Sequence, residues 1–468
     1  MNPRTALAIL AGRTAGRLSR LLGRGGGTAI AGVVALRVQP GLVRELAGHA
    51  GAGAIAVTGT NGKTTTSLML NRIAGAAGLR PLHNRSGSNM MRGVAAMLVD
   101  EASISGSIAE ASKRLAILEV DEATLPEIVR EVRPRVIVFT NLFRDQLDRY
   151  GEVDTVAKSW ERALSANTIH DDRRPTVVLN ADDPAVAHLG RGYGGPVLYY
   201  GVEDASAGGE AVEHASDFRT CLECGADLSY TVTFYGHVGH WRCPSCGNTR
   251  PAPDVGLTRV ELRDDAAGMT VVTAQGELRI ALPLTGLYNA YNALAAVAGA
   301  TVLGLPSVAI VPALEEFSAA FGRQERFQVD GRDVQVLLGK NPTGLNQVLR
   351  TVAARAGHKR ILFFLNDGIA DGRDISWIWD TDYELVQPAT DWVLAAGTRA
   401  EDLALRLKYA GFGDDVAIEH DTATALGRAL DATPAGGTLY VLPTYTAMLG
   451  VREIIARRAG QTHFWEGA

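Results

Sequence analysis

The sequence predicts an α/β protein in which a large unit with a parallel sheet, interrupted by a small four-cysteine ribbon, precedes a smaller Rossmann-like α/β unit. Three observations carry that expectation. The apolar run Ala54-Ile55-Ala56-Val57-Thr58 enters a glycine turn that leads straight into an apolar-periodic helix. Two Cys-x2-Cys pairs stand in mid-chain, and from about Asp330 onward strand and helix patterns alternate again. A length of 468 residues fits two or three domains at about 100–200 residues each. The boundaries read from the sequence are a basic helical segment over 1–49, a central unit over 50–325 with its insert at about 215–255, and a C-terminal unit over 326–468.

Composition narrows the function classes. With 46% hydrophobic and 21% charged residues the chain has too much apolar side chain to stay disordered. A net charge of −5 argues against a nucleic-acid binder that works through its overall field. That charge is uneven. From Met1 to Arg44 there is no acidic residue, while Arg4, Arg13, Arg17, Arg20, Arg24, Arg37 and Arg44 are all basic. Leu7, Ile9, Leu10, Leu18, Leu21 and Leu22 among the arginines read as an amphipathic basic helix ended by Gly25-Gly26-Gly27. It is expected to be retained and packed on the body of the protein, with a membrane-surface role as the less favoured alternative. No uncharged apolar run reaches the roughly 18 residues of a bilayer span.

The first strand and helix enclose Gly59-Thr60-Asn61-Gly62-Lys63-Thr64-Thr65. Backbone N–H groups of such a turn and of the helix start surround an anion, so this is a phosphate cradle. Lys63 would reach the terminal phosphates, and the hydroxyl of Thr64 or Thr65 would ligate magnesium. Val57 stands where the full P-loop pattern has its first glycine, which makes this a shortened form. The runs Leu115–Val120 and Arg135–Asn141 read as buried parallel strands with polar residues at their C-terminal ends, where open α/β sheets bind ligands. Glu119 is therefore either a magnesium ligand or a strand-end carboxylate facing water. A further strand, Thr176–Leu179, ends in Asn180-Ala181-Asp182-Asp183-Pro184, a turn rich in groups able to bond a base or ribose.

Cys221, Cys224, Cys243 and Cys246 form two pairs, each followed by glycine, Gly225 and Gly247. Two such knuckles closing on one tetrahedral zinc ion account for the spacing better than free thiols or a redox dithiol, which needs only one pair. Tyr230, Phe234, Tyr235 and Trp241 between the pairs would pack a small ribbon, and the scarcity of basic residues there points to a structural role. Farther on, Val334–Leu338, Arg360–Leu365, Trp392–Ala396, Val416–Glu419 and Thr438–Leu442 read as strands, with helices over Arg399–Tyr409 and Thr422–Leu430. The second of these strands leads into a loop holding Asp367, Asp371, Asp374 and Asp380 with Trp377 and Trp379, which by itself reads equally as an acidic turn with anchoring aromatics.

The phosphate turn, Asp145-Gln146-Leu147-Asp148-Arg149-Tyr150-Gly151, Asn180-Ala181-Asp182-Asp183-Pro184 and Gly286-Leu287-Tyr288-Asn289-Ala290-Tyr291-Asn292-Ala293-Leu294-Ala295-Ala296 occur in that order. The set resembles the Mur ligase family of ATP-dependent amide-forming enzymes. The resemblance implies a Mur ligase-type central ATPase domain. In it Gly59, Thr60, Asn61, Gly62, Lys63, Thr64 and Thr65 hold ATP, Thr64 and Glu119 bind Mg2+, and Asn180, Asp182 and Asn289 line the adenosine pocket. Gln146 stands where members usually carry histidine, and Leu337–Pro342 replaces their Asp-Tyr-Ala-His-Asn-Pro segment. Lys158 lies near the position of a carbamylated lysine in many relatives, but the spacing from Gly151 is too short to carry that role over.

The four-cysteine insert and the Asp-Gly-x-Asp-x-Ser-Trp-Ile loop resemble one branch of the family, the ligase subunits that work beside a GatD-type class I glutamine amidotransferase. That resemblance implies amidation of the α-carboxyl of D-glutamate in the lipid II stem peptide, at the inner face of the cytoplasmic membrane, with no nucleic-acid partner. Releasing ammonia from glutamine takes an activated thiolate. All four cysteines being committed to zinc, the thiolate is expected from the partner, whose histidine Asp374 would orient, with Asp371 as the runner-up. The alternative is a free-standing ligase joining an amino acid to a cell-wall or folate-like carboxylate.

Overall fold

A computed structural model of the chain describes residues 2–21, 28–84, 88–145, 153–165, 174–209, 216–318 and 323–458. The larger unit contains β1 (Gly53–Thr58), β2 (Arg80–His83), β3 (Arg114–Glu119), β4 (Val136–Phe139), β5 (Thr176–Asn180) and β6 (Val197–Val202). After a ribbon of β7 (Ser229–Tyr235) and β8 (Val238–Arg242) it adds β9 (Val255–Leu262), β10 (Ala267–Thr273) and β11 (Gly276–Leu282). Apart from that ribbon these strands form a nine-stranded sheet in the order β11-β10-β9-β6-β5-β4-β1-β3-β2. The strands predicted from continuous Val/Ile/Leu runs lie in its centre, where both faces are covered by helices and alternation has no reason to appear. The antiparallel hairpin of β10 and β11 is not foreseen in the sequence. Its outer strand alternates buried with exposed residues, the pattern of an edge with one wet face.

Two cores sandwich this sheet. On one side lie the helices Lys63–Ala76, Leu287–Val302 and Ser307–Glu315, the second of them buried almost all round. On the other lie Met91–Glu101, Leu125–Glu131, Val153–Ser165 and the N-terminal helices. Because β1 connects past the place of β3 to the edge strand β2 while β4 connects the other way to β5, the topology reverses between β1 and β4. A crevice opens at the carboxyl ends of those two strands, where sheets of this kind take their ligands.

The first helix, Pro3–Leu21, packs on the body as expected, but not through its leucines. Thr5, Ala8, Ile9, Gly12 and Gly16 face inward, and Leu7, Leu10, Leu18 and Leu21 are exposed. Arg13 donates to the carbonyls of Val99 (3.0 Å) and Asp100 (3.1 Å), tying this helix to the end of Met91–Glu101. Small residues let the backbones approach, and that closeness selects the inward face over the more apolar one. Leu22 and Gly25-Gly26-Gly27 lie outside the described residues.

The C-terminal unit is a six-stranded sheet of β12 (Arg323–Val329), β13 (Arg332–Leu337), β14 (Lys359–Phe364), β15 (Thr390–Ala396), β16 (Ala417–Glu419) and β17 (Thr438–Pro443), in the order β12-β13-β17-β14-β15-β16. All five predicted strands are present, and β12 joins them antiparallel at the edge, so the sheet begins ahead of the boundary expected at 326. Apolar clusters on both faces make it doubly wound, as expected.

Candidate functional site

The glycine turn between β1 and the helix Lys63–Ala76 lies in the crevice and is built to bring backbone close to a ligand. Gly59 and Gly62 have φ of 131° and 87°, and a Cβ on Gly62 would come within 2.0 Å of Asn292 Oδ1. Only glycine fits both demands. The end of β4 braces the turn, with Asn61 N donating to Asn141 Oδ1 (2.9 Å) and Thr140 Oγ1 to Asn61 O (2.7 Å). The helix start carries neither a side-chain cap nor an acidic residue in its first turn, which leaves its first amides for an anion.

Lys63 is not idle. Its Nζ donates to Gly59 O (2.5 Å) and to both carboxylate oxygens of Glu122 (3.0 and 3.1 Å), in a pair that is almost wholly buried. Burial pushes the Glu122 carboxyl above its ordinary range while the Lys63 ammonium pulls it back. The sequence reading missed Glu122. As one more acid after β3 it has no local signature, and only the fold sets it against Lys63. Glu119 is buried in β3, level with Val57 of the neighbouring strand, with its backbone N–H and C=O both bonded to the Asn84 side chain. Thr64 is buried at the start of the helix. A hydroxyl and a carboxylate beside a phosphate turn are the oxygen donors magnesium takes, so the two residues predicted to hold it fit the ion.

The turn opens on a cleft of about 770 Å3, part of it open to solvent. Asn61, Thr65, Tyr288 and Asn289 line it from the central unit, and Lys340 and Gln347 from the C-terminal unit. The two units meet directly beside it. Asn341 Nδ2 donates to Asn61 Oδ1 (3.0 Å), and Lys340 pairs with the buried Asp145, 195 residues away in the chain. Asn289 thus stands at the cavity. Asn180 and Asp182 do not. Both are fully buried behind its lining, Asn180 donating to Thr140 O (3.0 Å) and Asp182 accepting from Tyr291 Oη (2.6 Å), Val202 N (2.7 Å) and Arg250 Nε (2.5 Å). A polar turn at a strand end is as well suited to satisfying buried backbone as to meeting a ligand, and here the framework uses it. Gln146 and Asp148 lie outside the described residues. Lys158 is on the helix Val153–Ser165.

The four cysteine sulfurs lie within 4.8 Å of one another, with Cys221 and Cys246 at 3.6 Å and Cys224 and Cys243 at 3.5 Å. A tetrahedral ion with sulfur bonds of about 2.3 Å sets sulfurs about 3.8 Å apart, so the residues fit zinc. Each knuckle closes alike, Gly225 N donating to Cys221 O and Gly247 N to Cys243 O. The ribbon is fastened to the larger unit behind the turn after β5. Trp241 Nε1 donates to Ala181 O (3.0 Å), and Arg250, just past the second knuckle, holds Asp182. Its aromatics thus do more than fill the ribbon, since Tyr235 reaches the cavity wall and stacks edge-on against Tyr291 at 5.4 Å. Loss of the metal is accordingly expected to be felt at the nucleotide. Metal analysis should find one zinc per chain, and chelation should lower both the melting temperature and the affinity for ATP.

In the C-terminal unit the loop after β14 separates its two candidate aspartates. Asp371 is buried and accepts from Thr446 N (2.8 Å) and Thr446 Oγ1, pinning the start of the helix Tyr445–Arg458. Asp374 is exposed, and bonds from the Ser376 side chain and from Ser376 N (2.9 Å) hold its carboxyl below the usual range. One carboxylate is occupied by the fold, and the other is presented ionised at the surface.

Residues 57–300 match the Mur ligase middle domain and residues 338–448 the MurT ligase C-terminal domain. Over 451 residues the chain is 32% identical to the lipid II isoglutaminyl synthase (glutamine-hydrolyzing) subunit MurT of Staphylococcus aureus, covering 96% of this chain and 97% of that one. The subunit of the same description from Streptococcus pneumoniae is 33% identical over 463 residues, 98% of each chain. Among solved structures, a pseudomurein peptide ligase type C from Methanothermus fervidus has a similar fold, with a TM-score of 0.64 at 22% identity over 86% of this chain and 78% of that one.

Proposed function

As the chain belongs to the Mur ligase family, in its branch of MurT subunits of lipid II isoglutaminyl synthase, we propose that it amidates the α-carboxyl of D-glutamate in the lipid II stem peptide with ammonia from a GatD-type class I glutamine amidotransferase. The observation that carries this reading is the division of labour on the chain. A phosphate turn faces an interdomain cavity, all four cysteines gather in one cluster, and an exposed carboxylate, that of Asp374, is displayed on the second unit.

A carboxylate does not accept ammonia in water because its oxygen is a poor leaving group. Its oxygen therefore attacks the γ-phosphorus of ATP, the bond to the β-phosphate oxygen breaks, and ADP leaves an acyl phosphate. Ammonia adds at the carbonyl carbon and gives up a proton, the bond from that carbon to the phosphate oxygen breaks, and inorganic phosphate departs with the proton, leaving the carboxamide. Lys63 exchanges Glu122 for the phosphates and offsets the charge that builds there, while the unbonded amides of the helix start do the same from the backbone. Thr64 and Glu119 would hold magnesium, which would supply further positive charge to the phosphates. Lys340, anchored on Asp145, brings a second cation to the cavity from the C-terminal unit. With the thiols gathered for zinc, the nucleophile that attacks glutamine comes from the partner, and Asp374 supplies the carboxylate that orients the partner's histidine.

The test is to purify the chain with and without the amidotransferase and supply lipid II, ATP and glutamine. The pair is expected to convert the carboxyl to the carboxamide, read by mass spectrometry, and neither chain alone to do so from glutamine. Amino-acid-dependent ADP release by the chain alone would overturn the reading in favour of a free-standing ligase.

A further inference from the structure

The first helix carries a feature that neither the fold nor the catalytic site uses. Leu7, Leu10, Leu18 and Leu21 are 58%, 46%, 53% and 83% exposed, and with exposed Thr14 they follow helical spacing along one outward stripe. Four leucines left in water on one helix gain nothing from folding, and a contiguous exposed apolar stripe marks a surface that something covers. The charges around it name the cover. Arg4, Arg17 and Arg20 are exposed on the same helix, the sequence up to Arg44 has no acid, and among the described residues none of these three arginines is in an ion pair. Arg20 Nε reaches only Gly16 O of its own helix, at 3.4 Å, whereas Arg13 is spent on carbonyls of the helix Met91–Glu101.

We propose that this stripe docks the protein on an anionic bilayer surface, the leucines entering the interface and Arg4, Arg17 and Arg20 meeting lipid phosphates. A helix with an apolar stripe and cationic flanks is suited to lying in the headgroup plane. Two copies of the chain joined through the stripe would set arginine against arginine, which disfavours a homodimer. The inference deepens the proposed function, because a lipid-anchored substrate is confined to such a surface, but it is tested apart from activity.

The full chain, alone and with its partner subunit, is sedimented with vesicles of phosphatidylcholine and of phosphatidylcholine with phosphatidylglycerol, without lipid II. Binding to the anionic vesicles is expected to be about tenfold tighter or more, and to fall as salt is raised. Leu10→Gln with Leu18→Gln is expected to lower it about tenfold, and Arg17→Gln with Arg20→Gln to erase the preference for anionic lipid, all with unchanged melting temperature because these side chains are exposed. Equal binding to both vesicles, binding to neither, or a leucine variant that binds like the unaltered chain would each overturn the proposal. Amidation of lipid II in detergent without any vesicle binding would leave the proposed function standing and remove this inference. Vesicle binding without amidation would do the reverse.

Discussion

Lys63→Ala is expected to abolish amidation with glutamine and with free ammonia alike, by about 10³-fold or more in kcat, since a full positive charge is lost where the phosphoryl group transfers. The variant also strands Glu122. That carboxylate is buried with Lys63 as its counter-ion at 3.0 Å, and removing one partner of a buried pair costs about 3–5 kcal/mol unless the remaining acid takes up a proton. Burial already raises the Glu122 carboxyl, so protonation is its way out. The two consequences are separable. Adding Glu122→Gln to Lys63→Ala should recover melting temperature but no turnover, whereas recovery of turnover would mean that Lys63 serves packing and not phosphate.

Asp374→Asn is expected to act on one nitrogen source only. Glutamine-dependent amidation should fall by about 10³–10⁴-fold, the scale seen when the orienting carboxylate of a triad becomes an amide, while free ammonia still supports turnover. The exposed position predicts unchanged stability, and nucleotide binding should not move. Equal losses with both nitrogen sources would reject the triad role. Asp371→Asn provides the contrast. Its carboxylate bonds Thr446 inside the unit, so the change should cost about 1–3 kcal/mol of stability and affect both nitrogen sources through the fold.

What could be read from the chain followed the range of the forces involved. The phosphate turn is legible because Gly59, Gly62 and Lys63 act within one turn of backbone, and the cysteine knuckles because each closes over a few residues. The central strands were legible because sandwiching by helices leaves a continuous apolar run. The edge hairpin of β10 and β11 was not, since short alternating segments carry no comparable signal. Asn180 and Asp182 show the limit from the other side. Their residue types fit a ligand turn, yet Asp182 ends up gathering Arg250, Val202 and Tyr291 from three distant segments.

The sequence by itself determined the two α/β units, the glycine turn and the cysteine quartet, all consequences of local sterics, spacing and residue chemistry. Only the tertiary structure decided that Glu122 restrains Lys63, that Lys340 crosses to Asp145, that the ribbon delivers Tyr235 to the cavity, and that Asp374 faces outward while Asp371 is taken. It also turned the leucines of the first helix toward solvent. Each of these is a pairing or a burial between segments far apart in the chain. Such contacts are chosen by the competition of all the packed surfaces at once, and no window of sequence contains that competition.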